Sequence, residues 1–266
     1  MADVQSGRDD RELPIDLVGV RGLRYPIAVR DKARERQRMV AEFSLSVSLP
    51  HHYKGAHMSR FVEVLHEHRD QIDMETLPEM VGALRTRLAA ERARMEVKFP
   101  YCVERAAPVS GAVSLMCYDC RYVAEVNGGG DSFAVGVRVP IATLCPCSKA
   151  IADYGAHNQR GYVDLDVRAM RRKSGLPRMI WIEELIEVAE SAGSSPVFPL
   201  LKREDERSVT MRMYENPAFV EDVVRHVADV LRRDERVEWL HVRSETLESI
   251  HDHNAFAEIS WRRGDG

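Results

Sequence analysis

The chain has 266 residues, with 38 Lys and Arg against 42 Asp and Glu, for a formal net charge of −4. That balance excludes a bulk positive field for duplex nucleic acid or an anionic membrane, and no apolar run approaches the roughly 18 residues of a membrane helix. The length suggests one large domain or two small ones, and 44% hydrophobic with 30% charged residues describes an ordinary soluble globular chain.

The start, MADVQSGRDDRELP, is acidic and polar and lacks the apolar core of a signal peptide, so a cytoplasmic location is expected. Residues 1–15 read as a disordered tail. Residues 16–30 and 39–49 then alternate as strands, with Phe43, Leu45, Val47 and Leu49 on one face and Ser44, Ser46 and Ser48 on the other. A helix is predicted over about 58–70, with Phe61, Val64, Leu65 and a core His68 on its apolar stripe. Thr76 and Glu79 form a capping-box pattern at the head of the next helix, followed by Met80, Val81, Leu84 and Leu88. Two strands follow, at about 94–104 and 112–127, and Asn127 to Asp131 is a turn.

The same order then recurs. Strands are predicted at about 132–140 and 160–168, and a helix at about 181–191 with Ile182, Leu185, Ile186 and Ala189 inward. A longer helix is predicted from Asn216-Pro217, with strands at about 236–245 and 254–262. Each half reads β-β-α-α-β-β, which argues for an α+β protein with antiparallel sheets and helices on one face. The expected organisation is a tail, a first module over 16–130 and a second over 131–266. Two stretches, about 141–159 and 191–214, read as irregular loops of the kind that carry chemistry.

Five cysteines, Cys102, Cys117, Cys120, Cys145 and Cys147, do not suggest a disulfide framework in a cytosolic chain. Cys145-Pro146-Cys147, with His157 nearby, groups thiols and an imidazole suited to zinc, and Lys149 would favour a thiolate. Ile250-His251-Asp252-His253 would point both imidazoles to one side if extended. Lys202 to Arg207 is a charge run, read either as a solvated loop or as part of a site. Lys54 to Arg60 enters a helix, read either as an anion site or as an ordinary helix entry with Ser59 as its cap. Cys117 and Cys120 lie on one strand three residues apart, so they face opposite ways. The basic run Arg168 to Lys173 reads as a solvated loop. No GxxxxGK[ST] loop and no GxGxxG opening a helix is present.

The string Pro140 to Lys149 (PIATLCPCSK) with Asp153 to Gly161 (DYGAHNQRG) resembles the GTP cyclohydrolase I family, type IB. Gly55 to Phe61, Leu200 to Arg203, Asn216-Pro217 with Phe219 to Asp222, and Ser249 to His251 match as well. The resemblance implies a tunnelling fold of two tandem β-β-α-α-β-β modules and a homotetramer with active sites at subunit interfaces. It implies conversion of GTP and water to formate and 7,8-dihydroneopterin triphosphate, the entry to tetrahydrofolate and queuosine precursors. By that resemblance the metal ligands fall on Cys145, His157, Glu206 and His251, with Cys147, Glu204 and His253 as the alternatives. Cys145 and His157 would serve catalysis. Glu221 would anchor guanine, and Lys54, His57, Arg60, Lys202 and Arg203 are candidates for the triphosphate. The implied cofactor is a divalent metal, zinc first, with manganese or iron also suited to such ligands. Two other readings are another tunnelling-fold enzyme acting on a pterin or deazapurine, and a non-catalytic module closed on zinc by Cys117, Cys120, Cys145 and Cys147.

Overall fold

A computed structural model describes residues 5, 7–33, 35–68, 76–173 and 175–264. In chain order the first half holds β1 (Ile15–Asp31), β2 (Glu35–Leu49), α1 (Met58–His68), α2 (Leu77–Arg87), β3 (Ala93–Ala106) and β4 (Val113–Asn127). The second holds β5 (Gly130–Leu144), α3 (Pro146–Ile151), β6 (Asn158–Ala169), α4 (Ile182–Ala192), β7 (Ser195–Pro196), α5 (Arg203–Glu215), α6 (Val220–Arg233), β8 (Val237–Leu247) and β9 (Ala255–Arg262). The sheet order is β1-β2-β3-β4-β5-β6-β8-β9, with β7 paired to β5. The α+β class and the repeated pattern are therefore as expected, with α3, β7 and α5 added to the second half.

Two compact units emerge. One comprises Met1–Phe99, Arg121–Val135 and Arg171–Pro177; the other comprises Pro100–Cys120, Gly136–Met170 and Arg178–Gly266. Their limits fall within β3, β4 and β5.

In the first unit the alternation of β2 does what it predicts. Phe43, Leu45 and Val47 are buried with Met95 and Val97 of β3, and the stripes of α1 (Phe61, Val64, Leu65) and α2 (Met80, Val81, Leu84) are buried too. Full burial of each such side chain contributes about 1.5–3 kcal/mol. Position 19 in β1 requires glycine: a Cβ there would lie 1.9 Å from the Leu45 carbonyl oxygen, between two register shifts of the β1/β2 pair. The second unit buries Val163, Leu165 and Val167 of β6 and Leu240 and Val242 of β8. It also buries Leu185 and Ile186 of α4 and Val223, Val224, Val227 and Leu231 of α6. There α4 packs on α6, and α6 lies over β8 and β9.

Several expectations are corrected. The tail is ordered where it is described: Lys54 N donates to Gly7 O at 2.9 Å, Gly55 N donates to Gln5 O at 3.1 Å, and Arg8 bridges Tyr53. Backbone pairing of this kind needs no apolar periodicity, so composition does not register it. Thr76 precedes α2, but its side chain makes no cap hydrogen bond there. Ser59 lies inside α1 rather than capping it. His68 is half-buried, with Nδ1 2.8 Å from the Val64 carbonyl, rather than fully in the core. The expected loop 191–214 holds the 13-residue helix α5, and α6 begins at Val220, where the Phe219 amide donates to Asp222 Oδ2 at 3.1 Å. Arg171 in the basic run is not merely solvated: it pairs with Asp131 at 2.9 Å.

The cysteine expectation also changes. Cys102 on β3 and Cys117 on β4 form a disulfide. Close by in sequence, Arg105, Tyr118 and Glu190 form a buried polar network. Tyr118 OH donates to Glu190 at 2.7 Å, and Arg105 pairs with the same carboxylate. Burial pushes the Tyr118 hydroxyl up from its ordinary value, and the Glu190 carboxyl with it.

Candidate active site

β5 ends at Leu144, and the chain turns into α3 through Cys145, which is half-buried and extended. Its Sγ accepts the Ser148 amide at 3.4 Å. Two residues on, Cys147 is an exposed free thiol. The Cys145 amide donates to the His157 carbonyl at 3.1 Å, and the His157 amide donates to Ser148 Oγ at 3.2 Å. These bonds fold the loop so that Cys145 and His157 become neighbours twelve positions apart in sequence. His157 Nδ1 lies 3.3 Å from Ser249 Oγ, so the segment before His251 meets the same imidazole. The Ala218 amide donates to the Leu144 carbonyl at 3.1 Å, which sets the approach to Glu221 beside the start of the cysteine loop.

The other candidates occupy the same unit. Glu206 is exposed in the first turn of α5, just after exposed Lys202 and Arg203. Glu221 is exposed in the first turn of α6. His251 is not on a strand; it lies in a bend, exposed, with its ring stacked on His253 at 5.1 Å between centroids. Lys149 does not simply accompany the thiols: its ammonium donates to the Tyr214 carbonyl at 2.5 Å and lies 4.3 Å from that ring's centroid. Lys54, His57 and Arg60 belong to the first unit. His57 and Arg60 line a cavity of about 70 Å³ with Tyr53 and Gly55, and Arg60 donates to the Arg87 carbonyl at 3.3 Å.

Among the described residues, no three His, Cys, Asp or Glu side chains converge closely enough to hold a metal ion. Cys145 and His157 are brought together; Glu206 and His251 do not complete a cluster with them in the single chain. The donor chemistry nevertheless suits a divalent cation: a thiol and an imidazole on one loop, with Ser249 on Nδ1 leaving Nε2 for a ligand bond. The all-thiolate alternative fails. Cys117 is bonded to Cys102, and Cys120 is buried, where desolvation holds its thiol well above the ordinary range.

Sequence reasoning did not single out Ser249 as a partner of His157, Ser148 or Asp205. Asp205 lies in α5, is fully buried, and accepts four hydrogen bonds.

A family model described as type I GTP cyclohydrolase FolE2 matches residues 1–257. The chain belongs to this family. Proteins named GTP cyclohydrolase FolE2 agree with that. The one from Geotalea uraniireducens is 46% identical over 259 residues, 97% of this chain and 93% of the relative. That from Citrifermentans bemidjiense is 48% identical over 263 residues, 99% and 96%. That from Geobacter sulfurreducens is 47% identical over 259 residues, 97% of each. Among solved structures, a uricase from Bacillus fastidious superposes with a TM-score of 0.56 at 8% identity, covering 94% of both chains. The uricase from Arthrobacter globiformis gives 0.51 at 10% identity, again covering 94% of both. At such identities the likeness concerns the fold, and it is the tunnelling fold. As a member of the type I GTP cyclohydrolase family the chain is an enzyme. The family match favours the cyclohydrolase over the other tunnelling-fold activities raised by the sequence.

Proposed function

We propose that this chain is a metal-dependent GTP cyclohydrolase I, which converts GTP and water to formate and 7,8-dihydroneopterin triphosphate at the start of tetrahydrofolate and queuosine precursor synthesis. Membership of the type I GTP cyclohydrolase family over nearly the full chain carries this reading. The loop that joins Cys145, His157 and Ser249 supports it.

The residues that would hold the cation are Cys145, His157, Glu206 and His251, with zinc the first choice and manganese or iron alternatives. When bound, such a cation would supply Lewis-acid chemistry that brings the pKa of a water toward neutrality, and the reaction requires a water-derived nucleophile at C8 of guanine. The proton transfers as the imidazole ring opens and formate leaves call for groups that titrate near neutrality, for which histidine is suited; the part given to His157, oriented by Ser249, is to hold the cation through Nε2. The Glu221 carboxylate accepts hydrogen bonds from N1–H and the 2-amino group of guanine. A base lacking those donors would leave that charge unpaired, which gives selectivity. Lys202 and Arg203 meet the triphosphate, with Lys54, His57 and Arg60 as further cations.

Because the ligands do not cluster within one chain, we assign their completion to assembly: a homotetramer with sites at subunit interfaces. The proposed location is the cytoplasm, and among the described residues no helix is long and apolar enough to cross a membrane.

The test is direct. Metal-stripped protein is supplied with GTP and then with zinc, manganese or iron. Formate and an oxidisable, fluorescent pterin should appear only with metal. No turnover with any metal from a folded, metal-binding protein would overturn the reading. Full activity from a monomer would overturn the interface assignment.

A further inference from the structure

Of the 13 residues of α5, only Asp205 is buried. Val209 and Met213 are half-buried on one face of the helix, and polar contacts at its two ends add to that partial apolar support. At the far end, Lys149 donates to the Tyr214 carbonyl. At the near end, Asp205 Oδ1 accepts the amides of Val109 at 2.8 Å and Ser110 at 2.9 Å. Its Oδ2 accepts the Ser110 hydroxyl at 2.6 Å and the Lys202 amide at 2.9 Å. All four donors meet a single carboxylate.

We propose that Asp205 is a positioning residue of the GTP site: it ties the first turn of α5 to the Val109–Ser110 turn and thereby fixes Lys202, Arg203 and Glu206. This rests on the function proposed above and deepens it. Lys202 supplies the amide that Asp205 accepts, Arg203 follows it directly, and Glu206 is the next residue after the anchor. All three side chains are exposed in the single chain, so their placement follows from how the first turn of α5 is held.

The chemistry of the anchor needs two oxygens. Asparagine has nearly the same shape but carries an amide in place of one oxygen. If that amide takes the Oδ1 position, the Val109 and Ser110 amides lose their acceptor. If it takes the Oδ2 position, the Ser110 hydroxyl can turn to accept, but the Lys202 amide is left unpaired. Either way an N–H is orphaned, and the second arrangement loosens the head of α5 itself.

The experiment compares wild type, Asp205→Asn and a control, Ile186→Val, which trims the buried face of α4. Backbone amide exchange over 202–206 is followed by mass spectrometry, with melting temperature and the KM and kcat of the metal-loaded enzyme for GTP. Asp205→Asn should speed exchange over 202–206 at least tenfold and raise KM at least fivefold, since the triphosphate contacts are lost as binding contacts. Ile186→Val, with a comparable loss of melting temperature, should leave both unchanged. Wild-type exchange and KM in Asp205→Asn would overturn the proposal, and so would equal effects from Ile186→Val. If Asp205→Asn does not fold, Ser110→Ala removes one bond of the four. It should move both readouts the same way by less, and no movement counts against the proposal. A wild-type protein that neither binds nor turns over GTP would overturn the functional reading and this role with it, whatever the exchange shows.

Discussion

Ser249 Oγ lies 3.3 Å from His157 Nδ1, so a residue just before His251 holds the imidazole of the cysteine loop. Partners of this kind orient a ligand ring, and their loss typically costs 10–100-fold in metal affinity. Ser249→Ala should therefore weaken metal binding by roughly that factor in a chelator competition. Unchanged affinity would remove Ser249 from the site.

Cys145 and Cys147 make opposite predictions. Cys145→Ala should lose bound metal and turnover, while its fold persists because the side chain is only half-buried. Cys147 is exposed, and Cys147→Ala should keep both. Metal content of the purified variants separates them. The reverse result would move the essential thiol to Cys147.

Glu221→Gln should bind GTP roughly ten- to hundredfold more weakly, the range expected when hydrogen bonds to a charged acceptor are lost. Its melting temperature should stay close to wild type, because the residue is exposed at the head of α6. Unchanged GTP affinity in equilibrium binding would end the anchor role.

Asp234 accepts the Arg236 guanidinium at 2.7 Å and the Arg236 amide at 2.8 Å. Those bonds, the side-chain one foremost, hold its carboxyl below the ordinary carboxylate value of about 3.9. The folded value is the lower one, so the stabilisation is fully present above about pH 4 and is lost as pH falls through the folded value. The melting-temperature gap between wild type and Asp234→Asn should be widest near neutrality and close on acidification. A gap that is flat with pH would contradict this pairing.

Three thiols should react in the denatured, unreduced chain: Cys120, Cys145 and Cys147. After reduction all five should react. Five before reduction would mean that Cys102 and Cys117 are not joined in the protein as purified.

Much of this was legible in the chain. Strand-like runs located β1 to β6, β8 and β9, with alternation plainest in β1 and β2, and apolar stripes located α1, α2, α4 and α6; all of these but β9, which is at most half-buried, bury residues on one face. α5 escaped for the complementary reason. Its residues are charged around the helix, and its buried Asp205 finds partners 95 and 96 positions earlier, beyond any local pattern. The cysteine loop was legible as a motif, but the contact of His157 with Ser249 spans 92 positions and needs the fold. The disulfide had a readable cue that went unused. Ala107 N donates to Ala112 O across the β3/β4 turn, and five residues out along each strand stand Cys102 and Cys117. Taking the turn as a tight hairpin would have set them opposite each other.

The charged N-terminal segment has a practical consequence. Gln5 and Gly7 supply the carbonyls that receive the amides of Gly55 and Lys54. Trimming the chain to residue 15, a common step before crystallisation, would spare every helix and every long strand. It would also leave those two amides to water, two and three residues before His57, and so loosen the loop proposed to meet phosphate while the protein passed every ordinary check of folding.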